Sequence, residues 1–139
     1  MKRVLIDTNV YIDWMHAGGH ELVMTGPGFV RYLSAVVLME LEAGASSLAA
    51  ARAVAELART FDKTSRLVVP SRAVWARAGT VLRQLHERRR EVRRASVEND
   101  VLIALSARDI GATLVTRDRS DYDAIRKYVE FSCLSLPSS

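Results

Sequence analysis

Cysteine, proline, lysine and aromatic residues are all scarce in this chain of 139 residues, with one Cys, three Pro and aromatics at 6%. A lone Cys133 cannot close an internal disulfide, and its apolar neighbours suit it to be a small buried hydrophobe rather than a nucleophile. No apolar run approaches the roughly 18 residues that a membrane span needs. The first such run is broken at Asp7 too early for a signal peptide, so a cytoplasmic protein with no membrane partner is expected. Aromatics this few, and not interleaved with basic residues, argue against a dedicated base-stacking platform. Lysine occurs only at Lys2, Lys63 and Lys127, so the acids discussed below have no lysine near them in sequence.

What is present is ordinary for a soluble domain: 49% apolar and 26% charged residues, in a length that suits a single domain over 1–139. The net charge of +4 conceals an asymmetry, because eight arginines between Arg72 and Arg94 face only Glu87 and Glu91. That block carries +6 and leaves −2 on the remainder. Five of its arginines, Arg88, Arg89, Arg90, Arg93 and Arg94, exceed what solubility needs and have the footprint of phosphate contacts.

Strand and helix signals alternate along the chain. Val4-Leu5-Ile6 reads as a strand buried on both faces, followed by a short helix over Thr8 to Met15. Glycines and a proline between His16 and Gly28 predict a mobile loop. A second strand is expected over Tyr32 to Val37, and a helix from Val37 to Gly44. An alanine-rich helix spans Ser46 to Phe61, with Leu48, Ala51, Val54 or Ala55, and Ala58 toward the core. Leu67 to Val69 is a short strand, and Ser71 caps a helix whose inward residues are Val74, Trp75, Ala78, Val81 or Leu82, and Leu85. Glu98-Asn99-Asp100 opens a helix, Val101 to Ile110, apolar nearly all round and therefore buried. The strand Thr113 to Thr116, a polar turn from Arg117 to Asp121, a helix over Tyr122 to Tyr128 and a strand over Val129 to Leu134 complete the chain. This alternation predicts an α/β fold on a mainly parallel sheet of about five strands.

In a parallel sheet Asp7 and Asp118, each following a strand, point to the same edge, where such folds bind ligands. Glu40 and Asp100 are embedded in apolar segments, where an acid must be neutral, paired or metal-bound. Each acid also has a plainer reading: Asp7 or Asp118 as a helix cap, Asp100 as a first-turn acid favoured by the helix dipole, Glu40 as solvated. Taken together, carboxylates without imidazole partners suit a hard cation such as Mg²⁺ or Mn²⁺. A metal of this kind supports phosphodiester hydrolysis by activating a water and offsetting charge in the in-line transition state, while one acid can take the water's proton. Thr8, Asn9 and Thr116 are polar neighbours able to orient carboxylates or water, or equally to serve as turn and cap residues. His16, His20 and His86 match no ligand spacing and are expected at the surface.

These segments in this order resemble the PIN-domain ribonucleases, and among them the small VapC-type toxins of toxin–antitoxin pairs. The resemblance is carried by VLIDTNVYID, VVLMELEAG, ENDVLIALSARDIGATLVTRD and the closing Asp121-Tyr122-Asp123-Ala124-Ile125. It implies a three-layer α/β/α sandwich and Mg²⁺- or Mn²⁺-dependent RNA cleavage. It also implies a homodimer and a cognate antitoxin that inhibits the site. Asp7, Glu40, Asp100 and Asp118 match the family's acidic quartet, Thr116 its usual hydroxyl residue before the last acid, and Asp121 an auxiliary acid of some members. A DNA-directed nuclease and a non-catalytic RNA- or protein-binding domain on the same scaffold are the competing readings. A phosphoacceptor domain fits poorly, since it wants adjacent acids after the first strand and a lysine after a late one. An aspartyl-nucleophile phosphatase wants a second Asp where Asn9 stands.

If the arginine block guides RNA to the carboxylate edge, reversing the charge of Arg88, Arg89 and Arg90 weakens RNA binding and flattens its dependence on salt. Filter binding across a salt series measures both; unchanged affinity and slope would refute the assignment.

Overall fold

The computed structural model describes residues 1–86 and 97–137. Its centre is β1 (Lys2–Ile6), where Lys2 and Arg3 are exposed and Val4, Leu5 and Ile6 are wholly buried. Three consecutive apolar residues are what a strand covered on both faces requires. On one side β1 pairs in parallel with β2 (Phe29–Ser34), and on the other with β4 (Thr113–Thr116). Two outer strands, β3 (Leu67–Val68) beside β2 and β5 (Cys133–Ser135) beside β4, extend the sheet in the same sense. The order is therefore β3-β2-β1-β4-β5, all parallel among the described residues. Helices flank the sheet as in a PIN-like α/β/α sandwich, and no described helix is long and apolar enough to cross a membrane.

Because β1 connects onward to β2 while β4 lies on its other side, the crossovers diverge at the β1/β4 junction. At such a switch point the loops leave a crevice outside the strands' carboxyl ends. The backbone N–H of Asp7 still bonds the Val115 carbonyl at 2.8 Å, so this acid leaves β1 in register with β4. Asp7 also caps α1 (Thr8–Ala17), its carboxylate accepting the Thr8 N–H, and Gly18 in the left-handed region ends that helix.

Serine caps set three further helix starts. Ser34 accepts the Val36 N–H and opens α3 (Ala35–Gly44), and Ser47 opens α4 (Leu48–Lys63) by accepting the N–H of Ala50. Ser71 does the same for α5 (Arg72–His86) through Val74. The helix α6 (Val97–Asp109) is buried without a break from Asp100 to Ala107, as its apolar circumference predicts.

Several expectations require correction. The second strand ends at Ser34, three residues short of Val37, because the Ser34 hydroxyl offers the chain a helix start and Val36 and Val37 follow it into α3. Within the stretch read as a mobile loop lies α2 (Glu21–Thr25), tied down where Arg31 donates to the Val23 carbonyl at 2.6 Å. On α4 the inward residue is Val54, with Leu57 and Phe61 packed partly against the core, whereas Ala55 is exposed and Leu48 is 68% exposed. On α5, Trp75 is 56% exposed rather than inward, while Val74, Ala78, Val81 and Leu85 fill the core. The segment read as a last helix is two 3-10 turns, Arg119–Tyr122 and Ile125–Lys127, and the final strand is only Cys133–Ser135.

Leu114, wholly buried on β4, and Trp75 make a direct contrast. Leu114→Ala is expected to cost about 3 kcal/mol in urea unfolding, and Trp75→Ala no more than about 0.5 kcal/mol. Equal losses would place Trp75 in the core after all.

Candidate metal centre at the sheet edge

Asp7 is only 6% exposed and Asp100, in the first turn of α6, 7%. The Asp7 carboxylate is held by neutral donors: Thr8 N–H to Oδ1 at 2.8 Å, and Thr116 Oγ1 and Tyr122 OH to Oδ2 at 2.8 and 3.0 Å. The same phenol oxygen stands 3.5 Å from Asp100 Oδ1, so one buried hydroxyl lies between the two acids. Glu40 on α3 is half-buried and reaches the pair from a third element. Its Oε1 accepts from Thr8 Oγ1 at 2.6 Å and its Oε2 from Asn99 Nδ2 at 3.4 Å, linking the ends of α1 and α6.

Thr116 has no freedom of orientation. Its oxygen accepts from Asn9 Nδ2 at 3.3 Å and from the Asp118 N–H at 3.1 Å, which leaves its own proton for Asp7. Asn9 is fixed in turn, since its Oδ1 accepts the Arg117 N–H at 3.1 Å. Thr8, Asn9 and Thr116 thus form a hydrogen-bonded frame around Asp7.

Asp118 follows β4 in the chain. It is exposed, and its Oδ1 accepts from Ser120 Oγ at 2.6 Å. Asp121 is half-buried in the following turn, its N–H on the Asp118 carbonyl. The five arginines Arg88, Arg89, Arg90, Arg93 and Arg94 lie outside the described residues. His16 and His86 are exposed as expected, but His20 is not a surface residue. Its side chain is 6% exposed, with Nε2 2.8 Å from Asp13 Oδ2, and Arg117 Nη1 donates to the other oxygen of Asp13 at 2.8 Å. Histidine is amphipathic enough to be buried wherever a carboxylate meets its ring nitrogen.

Residue types alone did not single out Tyr122, Asn99 or the Asp13–His20–Arg117 cluster. Tyr122 had a legible signal: it is spaced from Ile125 and Val129 as an inward residue is, and a buried tyrosine hydroxyl usually finds a partner. The Asp13 cluster brings Arg117 from 104 residues away onto an Asp13–His20 pair seven residues apart, and no local pattern announces it.

Burial pushes the Asp7 carboxyl above its usual range, the nearby charge of Glu40 adds to this, and the three donors oppose it. Burial, and then the charges of Asp7 and Asp100, push the Tyr122 phenol well above its ordinary value, so it stays a donor. Cys133 is half-buried, and burial raises its thiol, in keeping with an inert role. Beside the acids, a largely apolar groove of about 640 Å³ runs between α1, α3 and α4, with Glu40, Ile12, Met15, Leu41 and Val54 in its walls.

Among the described residues, no three of His, Cys, Asp and Glu stand close enough to share one ion as arranged here. The donor chemistry nevertheless fits a hard divalent cation. Two buried acids meet at one phenol, a third acid is close enough to raise Asp7, and Thr8, Thr116 and Tyr122 meet the Asp7 carboxylate as neutral donors. A cation is the partner that a buried carboxylate held by neutral donors calls for.

The raised Asp7 carboxyl has a pH consequence. A group whose folded pKa lies above its unfolded value of 3.8 favours folding below that value, and the contribution is lost as pH rises through the folded pKa. Metal-free Asp7→Asn should therefore melt higher than the parent at pH 7, and this advantage should shrink toward pH 3. A thermal-melt series over that range, with chelator present, checks it; an advantage that grew toward acid would contradict the assignment.

The PIN domain model matches residues 4–127. No curated protein matches the chain by sequence. Among solved structures, VapBC2 from Rickettsia felis, bound to a DNA fragment from its promoter, is similar at 20% identity and a TM-score of 0.67, covering 96% of this chain and 98% of the other. VapBC-1 from nontypeable Haemophilus influenzae is similar at 22% and 0.67, with 96% and 97% covered. VapBC-5 from Mycobacterium tuberculosis, a member of the VapBC family of toxin–antitoxin systems, is similar at 19% and 0.67, with 98% and 100% covered. At these identities the likeness is one of fold, but the family model spans most of the sequence together with the acids Asp7, Glu40, Asp100 and Asp118: the chain belongs to the PIN domain family.

Proposed function

We propose that this chain is a cytoplasmic, Mg²⁺- or Mn²⁺-dependent endoribonuclease, the toxin of a toxin–antitoxin pair. The observation that carries the reading is the meeting of buried Asp7 and Asp100 at the switch point, with Glu40 alongside. In this reading Asp7, Asp100, Glu40 and Asp118 would hold the cation, drawing closer around it than they stand without it. When bound, the ion would neutralise these acids, lower the pKa of a water and offset charge on the scissile phosphate. Thr8 and Asn99 orient Glu40, and Thr116 and Asn9 orient Asp7. A carboxylate facing the crevice takes the proton of the attacking water. Asp118 is exposed after β4, and Asp121 is auxiliary.

The toxin assignment is supported by solved structures of VapBC proteins that share the fold over nearly their whole length. They likewise support a cognate antitoxin as partner, while the homodimer and the choice of RNA follow from the family resemblance. Contacts of Arg88, Arg89, Arg90, Arg93 and Arg94 with the RNA backbone would supply affinity without base selectivity.

The test is incubation of purified protein with total RNA and with DNA, in Mg²⁺, in Mn²⁺ and in chelator, beside Asp7→Asn and Asp100→Asn. RNA should be cleaved only with metal, and each variant should lose about a hundredfold or more in rate. Cleavage in chelator, or full activity in either variant, would sink the mechanism; cleavage of DNA alone would transfer it to the rival substrate.

A further inference from the structure

Tyr122 follows the last acid of the site on a 3-10 turn, yet its side chain is wholly buried. The turn packs against α6 and β5, and the ring sits edge-on to Phe131 with centroids 6.1 Å apart. A phenylalanine would meet that packing equally well. What tyrosine adds is one hydroxyl, which is costly to bury without a partner. That hydroxyl lies between two carboxylates, donating to Asp7 Oδ2 at 3.0 Å with Asp100 Oδ1 at 3.5 Å.

The consequence for Asp7 can be counted in lone pairs. An ionised carboxylate offers about four acceptor positions. Thr116 and Tyr122 occupy Oδ2, and the Thr8 N–H occupies one position on Oδ1. The carboxylate cannot rotate without losing several bonds at once, and Oδ1 retains an open position. We propose that Tyr122 is a positioning residue for the cation site: its phenol locks the Asp7 carboxylate and keeps it facing Asp100, so that both acids are set to take one divalent ion. This rests on the reading of the site as a metal centre. Tyr122 touches neither substrate nor ion in this role, and acts through Asp7.

The experiment is a titration of metal-free protein with Mn²⁺, free ion being read by electron paramagnetic resonance, for the parent, Tyr122→Phe and Asp7→Asn. The phenyl ring preserves the packing, so Tyr122→Phe should stay folded and bind Mn²⁺ about tenfold more weakly. Affinity equal to or tighter than the parent's would overturn the positioning role while leaving the metal centre standing. A parent that binds no Mn²⁺, or binds it as well after Asp7→Asn, would overturn both. Should Tyr122→Phe fail to fold, the parent labelled with ¹³C at the tyrosine ζ carbon decides instead. The Tyr122 resonance should move in step with Mg²⁺ saturation, and a resonance indifferent to saturating Mg²⁺ would overturn the proposal.

Discussion

A carboxylate buried at the end of a central strand is unfavourable by itself, and much of the sheet edge is arranged around that fact. Asp7 lies where β1 and β4 part, under protein on nearly every side. It is kept there by the first N–H of the helix it caps, by a threonine from the neighbouring strand, and by a tyrosine from the turn beyond it. Each donor comes from a different stretch of chain, so Asp7 joins β1, α1, β4 and the Tyr122 turn in one local unit. Yet burial still outweighs those donors and raises the carboxyl. The fold holds the acid in place without neutralising it, an arrangement suited to a group whose partner arrives from outside.

The rest of the frame follows the same logic. Glu40 is steered by Thr8 and Asn99, residues adjacent in sequence to Asp7 and Asp100, so the acids are coupled through their neighbours. Arg117, which precedes Asp118, is anchored by its backbone to Asn9 and by its guanidinium to Asp13. Asp13 also holds His20, which ties the segment after α1 to the segment after β4. These contacts fix the rim of the crevice from both sides of the β1/β4 junction.

How much of this could be read from sequence depended on how local each cause is. The buried strand Val4-Leu5-Ile6, the all-apolar α6 and the parallel alternation were legible because their signals lie within a few residues. The acids Asp7, Glu40 and Asp100 were legible for a related reason: a charge among branched apolar residues needs an explanation wherever it occurs. The boundary between β2 and α3 was misplaced because Val36 and Val37 favour a strand by propensity, while the Ser34 cap and tertiary packing favour a helix. Trp75 and Leu48 were placed inward by size and spacing, although a hydrophobic residue may stay outside once the face beside it has filled the core. Tyr122 and Asn99 were missed because their partners lie 115 and 59 residues away, and His20 because nothing in a histidine seven residues after an aspartate shows that the chain folds back onto α1.

We propose above all that the buried acids at the β1/β4 switch point form a divalent-cation site. Its most direct test is anomalous diffraction from crystals of the protein soaked in Mn²⁺. A manganese peak is expected within about 2.2 Å of carboxylate oxygens of both Asp7 and Asp100. Manganese found only elsewhere on the molecule would contradict that assignment.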